Sequence, residues 1–160
     1  MPLLLLVAYN ARLRGATPDR SPRKLAEIVS LLEKQLGIQI DVQVKVAPNT
    51  HMVVSVAPLE NVSGTFVLTI DEAFLNQLDD EEMTAAVGHE LGHVWIFTHH
   101  PFLQTEALAN QIAMRVVARD SLKKLYSKLW AFQSTTGNVA DLLGPEPAAA
   151  HVTNVAKPRH

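Results

Sequence analysis

Residues 79–98 read DDEEMTAAVGHELGHVWIFT, and the start, period and content of this stretch decide the fold. Asp79 is a good N-cap, and Glu82 three residues later completes a capping box. Met83, Val87, Leu91 and Val94 then recur at three- and four-residue steps, predicting a helix of about four turns, which Pro101 closes. Inside that helix, His89-Glu90-Leu91-Gly92-His93 is a complete H-E-x-x-H. Side chains four apart share a helical face, so both imidazoles reach one metal ion. With 7 histidines in 160 residues, the motif would arise by chance with a probability of roughly 2%. Two histidines and a glutamate among apolar neighbours would also be costly to bury without a metal to pair them. Glu90 lies beside the ligand face, placed to hold a metal-bound water and take its proton. The water is the expected nucleophile, since an ion such as zinc acidifies it and polarises a scissile carbonyl.

Upstream, Gly15, Thr17, Pro18, Asp19, Ser21 and Pro22 cluster into a loop, and Ser21-Pro22 is an N-cap followed by proline at the first helical position. Leu25, Ile28, Val29, Leu32 and Leu36 form one apolar face and Gly37 suits a C-terminal cap, so a helix is predicted over Pro22–Leu36. The period then falls to two. Ile38, Ile40, Val42, Val44 and Val46 alternate with polar residues, and residues 51–57 (HMVVSVA) and 65–70 (TFVLTI) are further β-rich runs. A small three-stranded sheet is predicted, with a short helix over residues 72–78.

Downstream, a second long helix is predicted from about Leu103, carrying Ala109, Ile112, Ala113, Val116 and Val117 on one face. It continues through Leu122, Leu125, Leu129 and Phe132, bent or divided at Asp120-Ser121. These leucines read as helix packing rather than a groove, and Trp95 reads as core. A catalytic zinc site needs a third protein ligand and one open position. Glu106 is one candidate: steps of three and seven residues from it reach Ala109 and Ala113, so its carboxylate is aimed inward. Against that stands a surface glutamate favoured by the helix dipole. His99 is the other candidate, six residues beyond His93 at the metzincin spacing, although Ile96 stands where metzincins have glycine. Asn110, one turn after Glu106, is placed to hydrogen-bond the outer ring nitrogen of a ligating histidine. His99, His100, Tyr126 and Arg115 are available as oxyanion donors, and nothing in the sequence selects among them. His51 has no partner pattern and receives no role.

Composition narrows the rest. There are no cysteines, which excludes disulfides, thiolate metal sites and a cysteine nucleophile. The formal net charge is -2, so nucleic acid and anionic membrane are not expected partners. No apolar run approaches the roughly 20 residues of a spanning helix. Residues 2–8 (PLLLLVA) are followed, not preceded, by the basic run 12–24, the wrong charge order for a signal peptide, so a cytoplasmic place is expected. The basic run itself reads as a solvated loop and helix start.

The stretch from Leu68 to Val117 resembles the gluzincin zinc metallopeptidases, especially the minigluzincins. Residues 65–70 followed by LNQLDDEEMTAAVGHELGH resemble an upper edge strand and active-site helix. Glu106-Ala107-Leu108-Ala109-Asn110 resembles the E-x-x-A-N of the glutamate helix in ImmA/IrrE-like peptidases. The resemblance implies His89, His93 and Glu106 as ligands of one Zn²⁺, Glu90 as general base, and an extended peptide lying antiparallel along residues 65–70. It implies an α+β, zincin-like fold: the three-stranded sheet, an N-terminal helix, an active-site helix and a long glutamate helix. Residues 1–21 are then an arm and loop, 22–135 the metallopeptidase domain, and 136–160 a loosely packed tail. The expected activity is hydrolysis of peptide bonds in peptide or protein substrates. The alternative is a metal-stabilised binding or regulatory module with little turnover, or a peptidase held latent by its own tail or N-terminal arm.

Overall fold

Helix α1 (Pro22–Leu36) starts and stops at its caps. Ser21 accepts from the Lys24 N–H, Pro22 takes the first position, and Gly37, at φ 72°, carries the left-handed turn whose N–H bonds the Glu33 carbonyl. The computed structural model describes residues 17–146. Residues 2–8, the first part of the loop preceding α1 and the last part of the expected tail lie outside that range. Within it, Arg20 departs from the expected solvated basic run. Its Nε donates to the carbonyls of Leu75 and Leu78 at 3.0 and 3.1 Å, tying the start of α1 to the chain just before the central helix.

Strands β1 (Asp41–Ala47), β2 (Val54–Pro58) and β3 (Thr65–Asp71) form one sheet in the order β1-β3-β2. β1 runs parallel to β3, with Val42 opposite Phe66, and β2 runs antiparallel to β3, with Val56 opposite Leu68. β3 was expected to be the edge that receives a peptide, and here the sheet differs: both edges of β3 are paired, and β2 is the free edge beside the site. The apolar run TFVLTI suits a central strand, because Phe66, Leu68 and Ile70 are buried while Val67 and Thr69 on the opposite face are half-buried. Helix α2 (Glu72–Leu75) follows at once, capped by Asp71.

Helix α3 (Asp80–His99) has the predicted capping box: Asp79 Oδ1 accepts from Glu82 N–H and Glu82 Oε2 from Asp79 N–H, both at 2.8 Å. Instead of one apolar face, α3 is buried all round its middle. Ala85, Val87, Gly88, Leu91, Gly92, Val94 and Ile96 meet the sheet on one side and α1, α4 and α5 on the others. The single long helix expected after it is two, α4 (Glu106–Ala113) and α5 (Arg119–Phe132), divided at residues 114–118 and not at Asp120-Ser121. The Val116 and Val117 amides both return to the Ala113 carbonyl, and a β-carbon on Gly88 would lie 3.0 Å from Val117 Cγ1. Val117 thus leaves the helix to fill the notch that Gly88 makes in α3.

The stretch after Gly137, expected to be loose, contains helix α6 (Val139–Leu143), capped by Asn138. Leu143 is buried, and Arg119 donates to the carbonyls of Leu143 and Gly144. One buried cluster from Leu25 to Leu143 joins α1, the sheet and all the later helices. Among the described residues, no helix is long and apolar enough to cross a membrane.

Candidate metal centre

The central helix sets His89 and His93 one turn apart, with ring centroids 4.9 Å from each other and ring planes at 89°. Thr105 caps α4 by accepting from the Leu108 N–H, which makes Glu106 the first residue of that helix. From there its carboxylate spans both rings: Oε2 lies 3.1 Å from His89 Nε2 and Oε1 lies 3.3 Å from His93 Nε2. A tetrahedral ion with bonds of about 2.0–2.1 Å separates its donor atoms by about 3.3 Å. The two carboxylate–imidazole distances match that separation, all three donor groups lie within 4.8 Å of one another, and two neutral imidazoles with one carboxylate are a donor set zinc accepts.

The backbones behind these ligands touch. A β-carbon on Gly92 would lie 2.3 Å from the Ala109 carbonyl oxygen, so α3 and α4 pack closer than any side chain between them would permit. That contact brings Glu106 to the histidines across a link of only thirteen positions.

Each histidine is also held from its outer side. Asn110 is buried, and its Oδ1 lies 2.9 Å from His89 Nδ1. Its Nδ2 donates to the Tyr126 hydroxyl at 2.8 Å and to the Leu142 carbonyl at 3.2 Å, so α5 and α6 both fix its orientation. Gln104, which the sequence did not single out, has Oε1 3.0 Å from His93 Nδ1 and donates through Nε2 to the His93 carbonyl at 3.1 Å.

Electrostatics follows from these contacts. Hydrogen bonds from His89 and His93 hold the Glu106 carboxyl well below its ordinary range, outweighing its partial burial. Burial works against a charge on His93, but the hydrogen bonds to Glu106 and Gln104 together raise its pKa. Glu90 is 6% exposed, and burial pushes its carboxyl up despite the two neighbouring histidines. Burial also pushes the Tyr126 phenol up to about 12.

A cleft of about 650 Å³ opens over the centre. Glu90, His89 and His93 floor it, β2 forms one wall, and Leu125, Tyr126 and Leu129 of α5 form the other. Leu125 and Leu129 are thus cleft wall as well as helix packing. Along β2 the ladder bonds join Val53 to Asp71 and Leu59 to Thr65, which leaves the N–H and C=O of Val54 and Val56 directed away from β3.

The remaining candidates lie elsewhere. His99 is not among the converging ligands, because α3 continues through it and six residues turn it about 240° around the helix from His93. Its ring stacks on Trp95 at 4.0 Å and 6°. Arg115 sits 4.9 Å over the Trp95 ring and His100 lies 6.0 Å from it, so Trp95, half-buried against the core, is also a platform for three cationic or titratable groups. The Tyr126 hydroxyl is engaged with Asn110 behind His89. His51 and Gln133, to which sequence reading assigned nothing, do line the cleft. Only their spatial neighbours reveal them.

No protein-family model matches the chain, and none of the curated proteins does. Among solved structures, the chain is similar to the metallopeptidase zymogen abylysin of Pyrococcus abyssi, with 21% identity over 71% of this chain and 99% of that one and a TM-score of 0.48. It is similar also to the metallopeptidase zymogen jannalysin of Methanocaldococcus jannaschii, with 15% identity over 68% of this chain and 96% of that one and a TM-score of 0.49.

Proposed function

We propose that the chain is a zinc-dependent metallopeptidase of the zincin type, with His89, His93 and Glu106 as metal ligands and Glu90 as general base. The observation that carries the reading is the convergence of two imidazole Nε2 atoms and one carboxylate, at 3.1 and 3.3 Å, on the floor of a cleft that also holds a buried glutamate. Three protein ligands, with His99 turned away, leave a coordination position for water, which favours turnover over a closed structural site. When bound, the ion would acidify that water and polarise the substrate carbonyl.

The chain's own residues supply the rest. An extended peptide lies antiparallel on the free edge of β2, its backbone pairing with Val54, while the Val56 amide meets Glu90. Glu90 takes one proton from the water whose oxygen adds to the carbonyl carbon. It returns that proton to the amide nitrogen as the C–N bond breaks, giving a carboxylic acid and a free amine, and the acid's remaining proton passes to the amine or to solvent. A carboxyl whose pKa is raised by burial suits both halves of that transfer. Asn110 fixes His89 from behind. The working unit is residues 22–135 together with α6, because the Leu142 carbonyl anchors Asn110.

Metal content measured together with cleavage of a mixed peptide library, on the wild type, Glu90→Gln and Glu106→Ala, tests this. The wild type should hold one ion and cleave, Glu90→Gln should hold the ion without cleaving, and Glu106→Ala should lose the metal. A wild type that holds an ion and cleaves nothing points to a binding module, and one that holds no ion removes the centre altogether.

A further inference from the structure

We infer that Gln104 is the positioning residue for the second metal ligand, and that one carboxamide does this while tying together the two elements that carry the ligands. The inference rests on the metal centre proposed above. Gln104 lies in the link between α3 and α4, after the 3-10 turn Pro101–Leu103 and two residues before Glu106. Its amide makes two contacts with the same residue. Oε1 accepts from the Nδ1–H of His93 at 3.0 Å, and Nε2–H donates to the His93 carbonyl at 3.1 Å.

These contacts have different consequences. The first keeps the Nδ1 proton of the imidazole in place, which leaves the Nε2 lone pair for the metal, sets the plane of the ring and raises its basicity. The second staples the link to the last turns of α3, and Glu106 follows it directly. Asn110 holds His89 from within a helix and is buried, whereas Gln104 holds His93 from a solvent-exposed link. His89 packs against the His93 ring and Glu106 meets its Nε2, while Gln104 holds the Nδ1 side.

Two variants separate the contacts. Gln104→Met keeps the length of the side chain and removes both, and Gln104→Glu keeps the acceptor while removing the donor to the His93 carbonyl. Zinc affinity, measured on the full chain by competition with a chromogenic chelator, should fall about 10- to 100-fold in Gln104→Met. In Gln104→Glu it should stay within about threefold of wild type, the carboxylate being at least as good an acceptor. In the zinc-loaded wild type the His93 Nδ1–H proton should be observable by NMR and slow to exchange; in Gln104→Met it should be lost to solvent exchange and in Gln104→Glu restored. Equal affinity in the wild type and Gln104→Met overturns the inference and leaves the metal centre intact. Equal weakening in both variants assigns Gln104 to stapling the link alone and overturns its role on the ring. A wild type that takes up no zinc overturns both this inference and the reading it rests on.

Discussion

Gly92 meets the carbonyl of Ala109 with no room for a side chain: a β-carbon there would lie 2.3 Å from the oxygen. The obstructing atom belongs to helix backbone, which cannot swing aside as a side chain can. Gly92→Ala should therefore push α4 away from α3, carrying Glu106 with it. An overpacked contact of this kind costs about 1–3 kcal/mol. The expected result is a lower Tm in the metal-free chain together with at least tenfold weaker zinc binding. Gly88→Ala is the comparison: its β-carbon meets the side chains of Val117 at 3.0 Å and Leu32 at 3.7 Å rather than backbone, and it should weaken zinc binding less than Gly92→Ala.

Glu90→Gln preserves shape while removing the base. Cleavage should fall by about 10²–10⁴-fold with zinc content unchanged, as read by steady-state kinetics and metal analysis. In the wild type the base works only when ionised. Activity should therefore fall on the acidic side of the kcat/KM profile as Glu90 takes up its proton.

Zinc binding should release protons. The metal-free centre raises the pKa of His93, so a proton occupies that ring over a wider pH range than on a free imidazole, and the metal must displace it. Calorimetric titration in two buffers of different ionisation enthalpy should show proton release that diminishes as pH rises above the His93 pKa. For the metal-free fold the sign is the reverse. The stabilisation from protonated His93 is complete below its unfolded value near 6.5 and is lost as pH rises through the folded one.

Glu33, on α1, is a carboxylate in an unfavourable place. Burial and the nearby charge of Asp41 push it up to about 7, the Val42 amide only partly offsets them, and its Oε1 has no hydrogen-bond partner. A carboxyl raised in the folded state destabilises the fold progressively as pH rises from its unfolded value of 4.5 to about 7. Glu33→Gln should accordingly have a higher Tm than wild type at pH 8, with the difference vanishing near pH 5. Thermal unfolding across that range checks it.

Local signals with a strong mechanism were legible in the sequence. Ser21-Pro22 and Gly37 bounded α1, the Asp79 and Glu82 pair started α3, and the H-E-x-x-H spacing put two imidazoles on one face. Glu106 was reachable by counting helical steps, and so was Asn110. What sequence could not supply was tertiary. The break between α4 and α5 carries no glycine or proline to mark it, and the seat of Val117 against Gly88 joins residues far apart in the chain. The pairing of β3 on both edges depends on the partners of a strand, which its own alternation does not encode. Gln104 gave no signal because its role arises where a link folds back on the helix before it. Trp95 looked like core, since an indole next to a buried helix turn does not reveal that His99, His100 and Arg115 will gather on it.

The free edge of β2 is of the kind that draws other strands into aggregates, and most folds blunt such edges with charge or proline. Here a prolyl residue, Pro58, stands only at its far end, and the strand opens with Val-Ser-Val. The cleft does the blunting instead. α5 stands opposite β2 as the other wall of the cleft, so a strand that approaches this edge meets α5 as well. A well-folded domain has no loose strand to offer, so under the proposed function the same geometry would favour chains that are already unfolded.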